Sequence, residues 1–330
     1  MLPREMKSPI NVELSGNTSK FIRRNYYHFN ALVLKNATMA YKKLLDDDGK
    51  MFVSMAGAMS TGRLGISLAA MIRAGYVSGL SVTGANLEED IFNLVANDQY
   101  VPVPDYRDIT QEDNKEMLDK KLNRVTDVAI PASGMKEVED IIIDAWKSSD
   151  SRKFPHEFLT ELLLEGAFKP YYAIDPKESW LLAAAEMDIP IVTPGWEDST
   201  LGNVFTAFVR KQEVDISILK TGIEAMNYLA DWYLKEKASK GFFQIGGGIA
   251  GDFSICVVPF LKQDCGLKNT KWWNYFCQVS DAVTSYGGYS GATPDEKITW
   301  DKLGPKTPKF VIESDASIVV PLIFDSILGL

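Results

Sequence analysis

The chain has 330 residues, of which 46% are hydrophobic, 24% charged and 11% aromatic, enough for a sizeable core and too apolar for a disordered or fibrous protein. With 35 basic against 44 acidic side chains the formal charge is −9, the wrong sign for a nucleic-acid partner. Three cysteines without C-x-x-C spacing (Cys256, Cys265, Cys277) argue against a disulfide framework and a zinc site, and no apolar run is long enough for a signal or membrane segment, so a reducing cytoplasm is predicted and no metal.

Residues 1–49 read as an N-terminal helical segment. From Phe21 to Leu45, Ile22, Tyr26, Phe29, Leu32, Leu34, Met39, Tyr41 and Leu44 recur at mixed three- and four-residue steps, predicting one or two helices ended by Asp46-Asp47-Asp48-Gly49. His28, among aromatics, reads as a packing residue. From 50 to 330 the pattern changes to short Val-, Ile- and Phe-rich runs, each stopped by small polar residues and followed by a helical period. The runs are Met51–Ser54, Gly79–Val82, Val128–Ile130, Ile189–Val192, Phe242–Ile245, Tyr275–Val279 and Phe310–Ile312. Helices are predicted over Leu64–Ala74 and Ile218–Tyr233, the latter with Ile223, Met226, Leu229 and Tyr233 on one face. Stretches 105–124 and 147–155 read as surface excursions, and His156 as a helix-start residue. Strand and helix in alternation predict an α/β, Rossmann-like fold with a mainly parallel sheet, continuous over 50–330.

The loops after the strands carry the chemistry, because parallel sheets bind ligands beyond their carboxyl ends. They are Ala56–Gly62, Thr83–Glu89, Thr193–Thr200, Gly246–Gly251, Ser280–Ala282 and Ser314–Ser317. Small residues let a ligand approach backbone N–H groups, hydroxyls donate to phosphate oxygens and carboxylates accept from ribose hydroxyls, an inventory that suits a nucleotide. Gly246–Gly251 satisfies G-x-G-x-x-G, a spacing that tight strand-to-helix packing also produces. No P-loop spacing occurs, which disfavours a P-loop ATPase.

A second cluster runs from Tyr286 to Lys302. Glu296 and Trp300 stand four apart and share a face in a helical turn, where an indole beside a carboxylate can hold an alkyl-ammonium. A desolvated lysine beside them, Lys302, can attack an imine or carbonyl as a neutral amine. The plain alternative is a surface lysine.

Taken in order, Thr-Gly-Ala-Asn-Leu-Glu-Glu-Asp (83–90), Glu-Asp-Ser-Thr-Leu-Gly (197–202), Ile-Gly-Gly-Gly (245–248), Ser-Gly-Ala-Thr-Pro-Asp-Glu-Lys-Ile-Thr-Trp-Asp-Lys (290–302) and Asp-Ala-Ser-Ile-Val-Val-Pro-Leu (315–322) resemble deoxyhypusine synthase, in its divergent synthase-like branch. The resemblance implies a Rossmann-like homotetramer with NAD and a polyamine, spermidine in the family, bound at dimer interfaces. It implies that Lys302 carries an aminobutyl imine from spermidine to a lysine of a translation factor, or to a free diamine as in homospermidine synthases. It assigns NAD binding to Gly57, Ser60, Thr61, Thr83, Gly84, Ala85, Glu89, Asp198, Asp281, Ala282, Asp315 and Ala316. The amine falls to Glu88, Asn203, Gly247, Asp252, Tyr289, Glu296 and Trp300.

Several positions depart from the family pattern. The synthase has an aspartate where Asn203 stands, a histidine pair in place of Asp252-Phe253, and aspartates where Tyr286 and Tyr289 flank Gly287-Gly288. Losing carboxylates removes partners for one ammonium end of the amine, which keeps open a catalytically idle NAD- or polyamine-binding oligomer. In the family an N-terminal helix closes the neighbouring tunnel, and the first 20 residues here are short for that.

Overall fold

The strands of the computed structural model, which describes residues 17–284 and 286–329, are β1 (Lys50–Met55), β2 (Gly79–Val82), β3 (Val101–Pro102), β4 (Leu122–Val125), β5 (Val128–Pro131), β6 (Ile191–Val192), β7 (Lys240–Ile245), β8 (Tyr275–Ser280) and β9 (Lys309–Glu313). Most of the N-terminal stretch judged short for a tunnel-closing helix, up to residue 16, lies outside the described residues. The helices are α1 (Thr18–Asn25), α2 (Phe29–Asp46), α3 (Gly65–Arg73), α4 (Gly84–Ala96), α5 (Gln111–Asp119), α6 (Lys136–Ser148) and α7 (Pro155–Glu165), then α8 (Trp180–Glu186), α9 (Thr200–Arg210), α10 (Gly222–Lys235), α11 (Gly248–Ile255), α12 (Val257–Pro259), α13 (Glu296–Thr299) and α14 (Ala316–Leu328). None of the described helices is long and apolar enough to cross a membrane.

Six strands form a parallel sheet in the order β6-β2-β1-β7-β8-β9. By rank in the chain this is third, second, first, fourth, fifth, sixth, the order of a doubly wound dinucleotide fold. The winding reverses between β1 and β7, which opens a crevice beyond their carboxyl ends.

Helices cover both faces, and that is why the strands read as predominantly apolar runs without strict alternation: β2, β7 and β8 are buried at every position. Alternate residues serve opposite cores. Met51, Val53, Phe243, Tyr275 and Cys277 join one core with residues of α2, α3 and α14, whereas Phe52, Phe242 and Phe276 join another with Leu229 and Tyr233 of α10 and with Trp273. The three phenylalanines stack across the sheet, with centroids 5.9 Å apart for Phe52–Phe242 and 6.2 Å for Phe242–Phe276.

Three sequence expectations need correction. Val128–Ile130 is a strand, but it pairs antiparallel with β3 and β4 in a separate three-stranded sheet. Only Thr126 and Asp127 separate β4 from β5, and a two-residue loop can close a hairpin but not the crossover that a parallel neighbour needs. The helix expected from Ile218 begins at Gly222 behind a capping box of Thr221 and Glu224; Ile223 is 78% exposed, and the inward face is Ala225, Leu229, Ala230 and Tyr233. His28 is exposed at the N-cap of α2 rather than packed. His156 does start a helix, on the first turn of α7, buried and stacked on Phe154.

Candidate functional site

Because the six strands are parallel, the loops that follow them emerge on one rim. At the winding reversal the first and fourth loops touch: a Cβ on Gly246 would lie 3.2 Å from the Ala56 Cβ. Gly57 and Gly248 both have positive φ (62° and 56°), and nothing lies within 4 Å of where a Cβ would project, so backbone there is open to a ligand. The Gly57 loop is held by Asn86, whose Nδ2 sits 2.9 Å from the Gly57 carbonyl and 2.8 Å from Thr83 Oγ1, while its Oδ1 accepts from Ser60 N at 2.8 Å. Thr83 caps α4 and donates to the Gly57 carbonyl at 2.7 Å.

Several residues assigned to NAD therefore face inward. Ser60 and Thr61 are buried; Ser60 Oγ donates to the Asn86 carbonyl and accepts from Trp180 Nε1, and Thr61 donates to Glu89 through N (3.2 Å) and Oγ1. Burial pushes the Glu89 carboxyl up to about 7. Gly84 is packed so that a Cβ would meet Ser199 at 2.7 Å. Ala85, Ala282 and Ala316 are partly exposed; Asp198, Asp281 and Asp315 are exposed, and Asp315 caps α14.

The amine residues divide into two groups. Glu88 is buried and accepts from the N–H groups of Thr200 (2.9 Å) and Leu201 (2.6 Å), thereby capping α9, on which Asn203 is exposed. Neither lines the cavity that Asp252, Tyr289, Glu296, Trp300 and Lys302 share, a space of about 250 Å³ also walled by Cys256, Gly287, Gly288, Ala292 and Lys297. Gly247 does not line it either and packs against Ser290, whose Oγ a Cβ there would meet at 2.0 Å. A second cavity of about 430 Å³ adjoins, with Asp252, Cys256 and Tyr289 lining both.

Lys302 is 7% exposed, and its Nζ donates to Asp252 Oδ1 at 2.7 Å. It lies 5.3 Å from the Tyr289 ring centre and 5.7 Å from that of Trp300. A buried amine with one carboxylate partner and two aromatic walls, open to a cavity, can form a covalent bond with an electrophilic carbon. Tyr289 is placed by the sheet: its hydroxyl donates to Gln244 Oε1 at 2.7 Å, Gln244 Nε2 donates to Gln278 Oε1 at 2.8 Å, and Gln278 Nε2 donates to the Ser290 carbonyl at 2.6 Å. Burial holds the Tyr289 hydroxyl well above its usual proton affinity, so it stays a donor.

Sequence reasoning missed Asn86, the Gln244–Gln278 pair and Lys297. Lys297 is 2% exposed, its Nζ has no hydrogen-bond partner among the described residues, and it lies 4.4 Å from the Tyr289 ring centre and 5.4 Å from that of Phe276. Desolvation lowers its proton affinity to about 8.

Comparison with known proteins gives a match to the family model for deoxyhypusine synthase over residues 23–327. The chain is 24% identical over 300 residues to the probable deoxyhypusine synthase 1 of Archaeoglobus fulgidus, covering 91% of this chain and 90% of that one. It is 26% identical over 327 residues to the deoxyhypusine synthase-like protein of Thermosynechococcus vestitus, covering 96% and 78%. Among solved structures, that of a deoxyhypusine synthase candidate from Entamoeba histolytica superposes with a TM-score of 0.57 at 11% identity, over 94% of this chain and 92% of that one, a likeness of fold.

Proposed function

Since the chain belongs to the deoxyhypusine synthase family, we propose that it is an NAD-dependent aminobutyl transferase in which Lys302 carries the group covalently. The observation that carries this reading is the buried Lys302 amine, paired with Asp252 and open to a cavity walled by Tyr289 and Trp300. The two rings and the Glu296 carboxylate suit the alkyl-ammonium of a polyamine such as spermidine. Asp252 orients the Lys302 nitrogen. In the transfer, that nitrogen adds to the substrate imine carbon and the bond to the departing diamine breaks, its electron pair leaving with the diamine nitrogen. An acceptor amine then adds to the same carbon, and the bond to Lys302 breaks. The acceptor is an amine of a protein lysine or a free diamine.

The open backbone at Gly57, with Thr83, Ala85, Asp281, Ala282, Asp315 and Ala316 on the same rim, fits a dinucleotide, and NAD when bound would take the hydride in oxidation of the donor amine and return it to the imine left on the acceptor, so that the whole transfer is redox-neutral. Ser60, Thr61 and Glu89 would act behind it, holding the loop. A homotetramer accompanies this reading: Ile249 and Trp300, which line the two cavities, and Val283 and Tyr286, shortly before Gly287 in the chain, expose large apolar side chains, with Val283 80% and Trp300 62% exposed, which suits cover by a second copy. The test is incubation with NAD and labelled spermidine, borohydride reduction and peptide mapping. Label on Lys302 is expected. Label elsewhere, or none, would overturn the reading.

A further inference from the structure

The pocket beside Lys302 holds two lysine amines but one neighbouring carboxylate engaged at hydrogen-bond distance. Asp252 Oδ1 is taken by Lys302 at 2.7 Å. Lys297 Nζ, fully enclosed, has only the faces of Tyr289 and Phe276, and Tyr289 is the same ring that faces Lys302. Glu296 is exposed to water, and the Cys256 thiol is pushed up by burial and stays neutral. The charged and titratable groups around Lys297 are thus Lys302, Asp252, Glu296 and Cys256. A polyamine adds at least one further ammonium to this enclosure, where low polarisability strengthens repulsion between like charges.

Resting on the amine-transfer reading above, we propose that Lys297 is a specificity-determining charge gate: a neutral Lys297 amine admits a cationic alkylamine to the pocket beside Lys302, and a Lys297 ammonium opposes it. The gate lies in the charge of one buried side chain and needs no movement of the fold. Burial sets its changeover at about 8. Below that pH the competent fraction falls, and the apparent affinity for a polyamine falls with it by roughly tenfold per pH unit; above it, affinity levels off. At pH 7 the gate therefore holds affinity roughly tenfold under its plateau.

The experiment is calorimetric binding of spermidine, in the presence of NAD, between pH 6.5 and 9, for the natural protein and for Lys297→Met and Lys297→Arg, with thermal unfolding as the check on folding. Methionine keeps the length and flexibility of the stem without charge, whereas arginine stays charged throughout. Affinity of the natural protein should rise with pH and level above pH 8. Lys297→Met should give a flat profile, roughly tenfold tighter at pH 7, and Lys297→Arg a flat, weak one. If Lys297→Met does not fold, Lys297→Gln takes its place with the same expectation. A flat profile in the natural protein, an unchanged slope in Lys297→Met, or no binding by any variant overturns the gate. Label on Lys302 with a flat profile would remove the gate and leave the transfer reading standing; the expected profiles without label on Lys302 would do the reverse.

Discussion

Gln244 and Gln278 face each other in register on β7 and β8, buried in the sheet and joined by a 2.8 Å hydrogen bond. The two buried amides are tolerated because each spends its remaining groups on the rim: Gln244 accepts from Tyr289, and Gln278 donates to the Ser290 carbonyl. The polar pair is a bracket that fixes the loop carrying the cavity wall.

Replacing Gln244 by Leu should leave the buried Gln278 Oε1 and the Tyr289 hydroxyl without partners, costing about 1–3 kcal/mol. The double variant Gln244→Leu/Gln278→Leu should cost less than the sum of the singles, since each single strands the other amide and the double removes both. Chemical denaturation of the three variants checks this; strict additivity would show that the amides do not act as a unit.

Lys302→Arg keeps the positive charge and most of the stem but presents a guanidinium that stays protonated and cannot act as a nucleophile. Transfer should fall below detection while NAD still binds. Full transfer by this variant would end the covalent role.

The buried Glu89 carboxyl, raised to about 7, binds its proton more tightly in the folded chain than in the unfolded one. Its contribution to stability is therefore fully present below the ordinary glutamate range and is lost as pH rises from about 4.5 to about 7, on the order of 3 kcal/mol by linkage. Glu89→Gln can still accept from Thr61 and does not ionise. Its Tm relative to the natural protein should climb through that window and level above it; a constant difference would show that Glu89 titrates normally.

Addition of NAD should raise stability by about 2.7 kcal/mol at a hundredfold excess over Kd. A folded sample showing no thermal shift at millimolar NAD would count against the dinucleotide reading. Light scattering should give a tetramer, and a mass near 37 kDa would remove the interface argument.

The parallel sheet was legible because strands covered on both faces are predominantly apolar, and six of the seven runs read as strands lie in it. Val128–Ile130 has the same composition and goes elsewhere, because a two-residue turn decides its partner and composition does not register that. The i, i+4 pair Glu296 and Trp300 could be read locally, and both line the cavity. Lys297 could not: what sets it apart is enclosure by Tyr289 and by Phe276, the latter 21 residues earlier on a strand, and a lysine in sequence carries no mark of what encloses it. Glu88 was readable as a carboxylate available to an amine, yet it is spent on two backbone N–H groups of a helix more than 100 residues away.

The two rims of the sheet live under different demands. On the rim away from the loops, Gly79 lies against Phe52, where a Cβ would come within 2.8 Å of the ring, and Gly241 against Leu44 and Met51, at 2.6 and 2.7 Å. A methyl group at Gly79 would have to displace the Phe52 ring, and one at Gly241 the ends of the Leu44 and Met51 side chains. On the loop rim, Gly57 and Gly248 border open space, and Asp252 and Trp300 line the cavity from outside the sheet. On the amine-transfer reading, a lineage can therefore try new amines on one side of the molecule while heredity of the fold is guarded on the other.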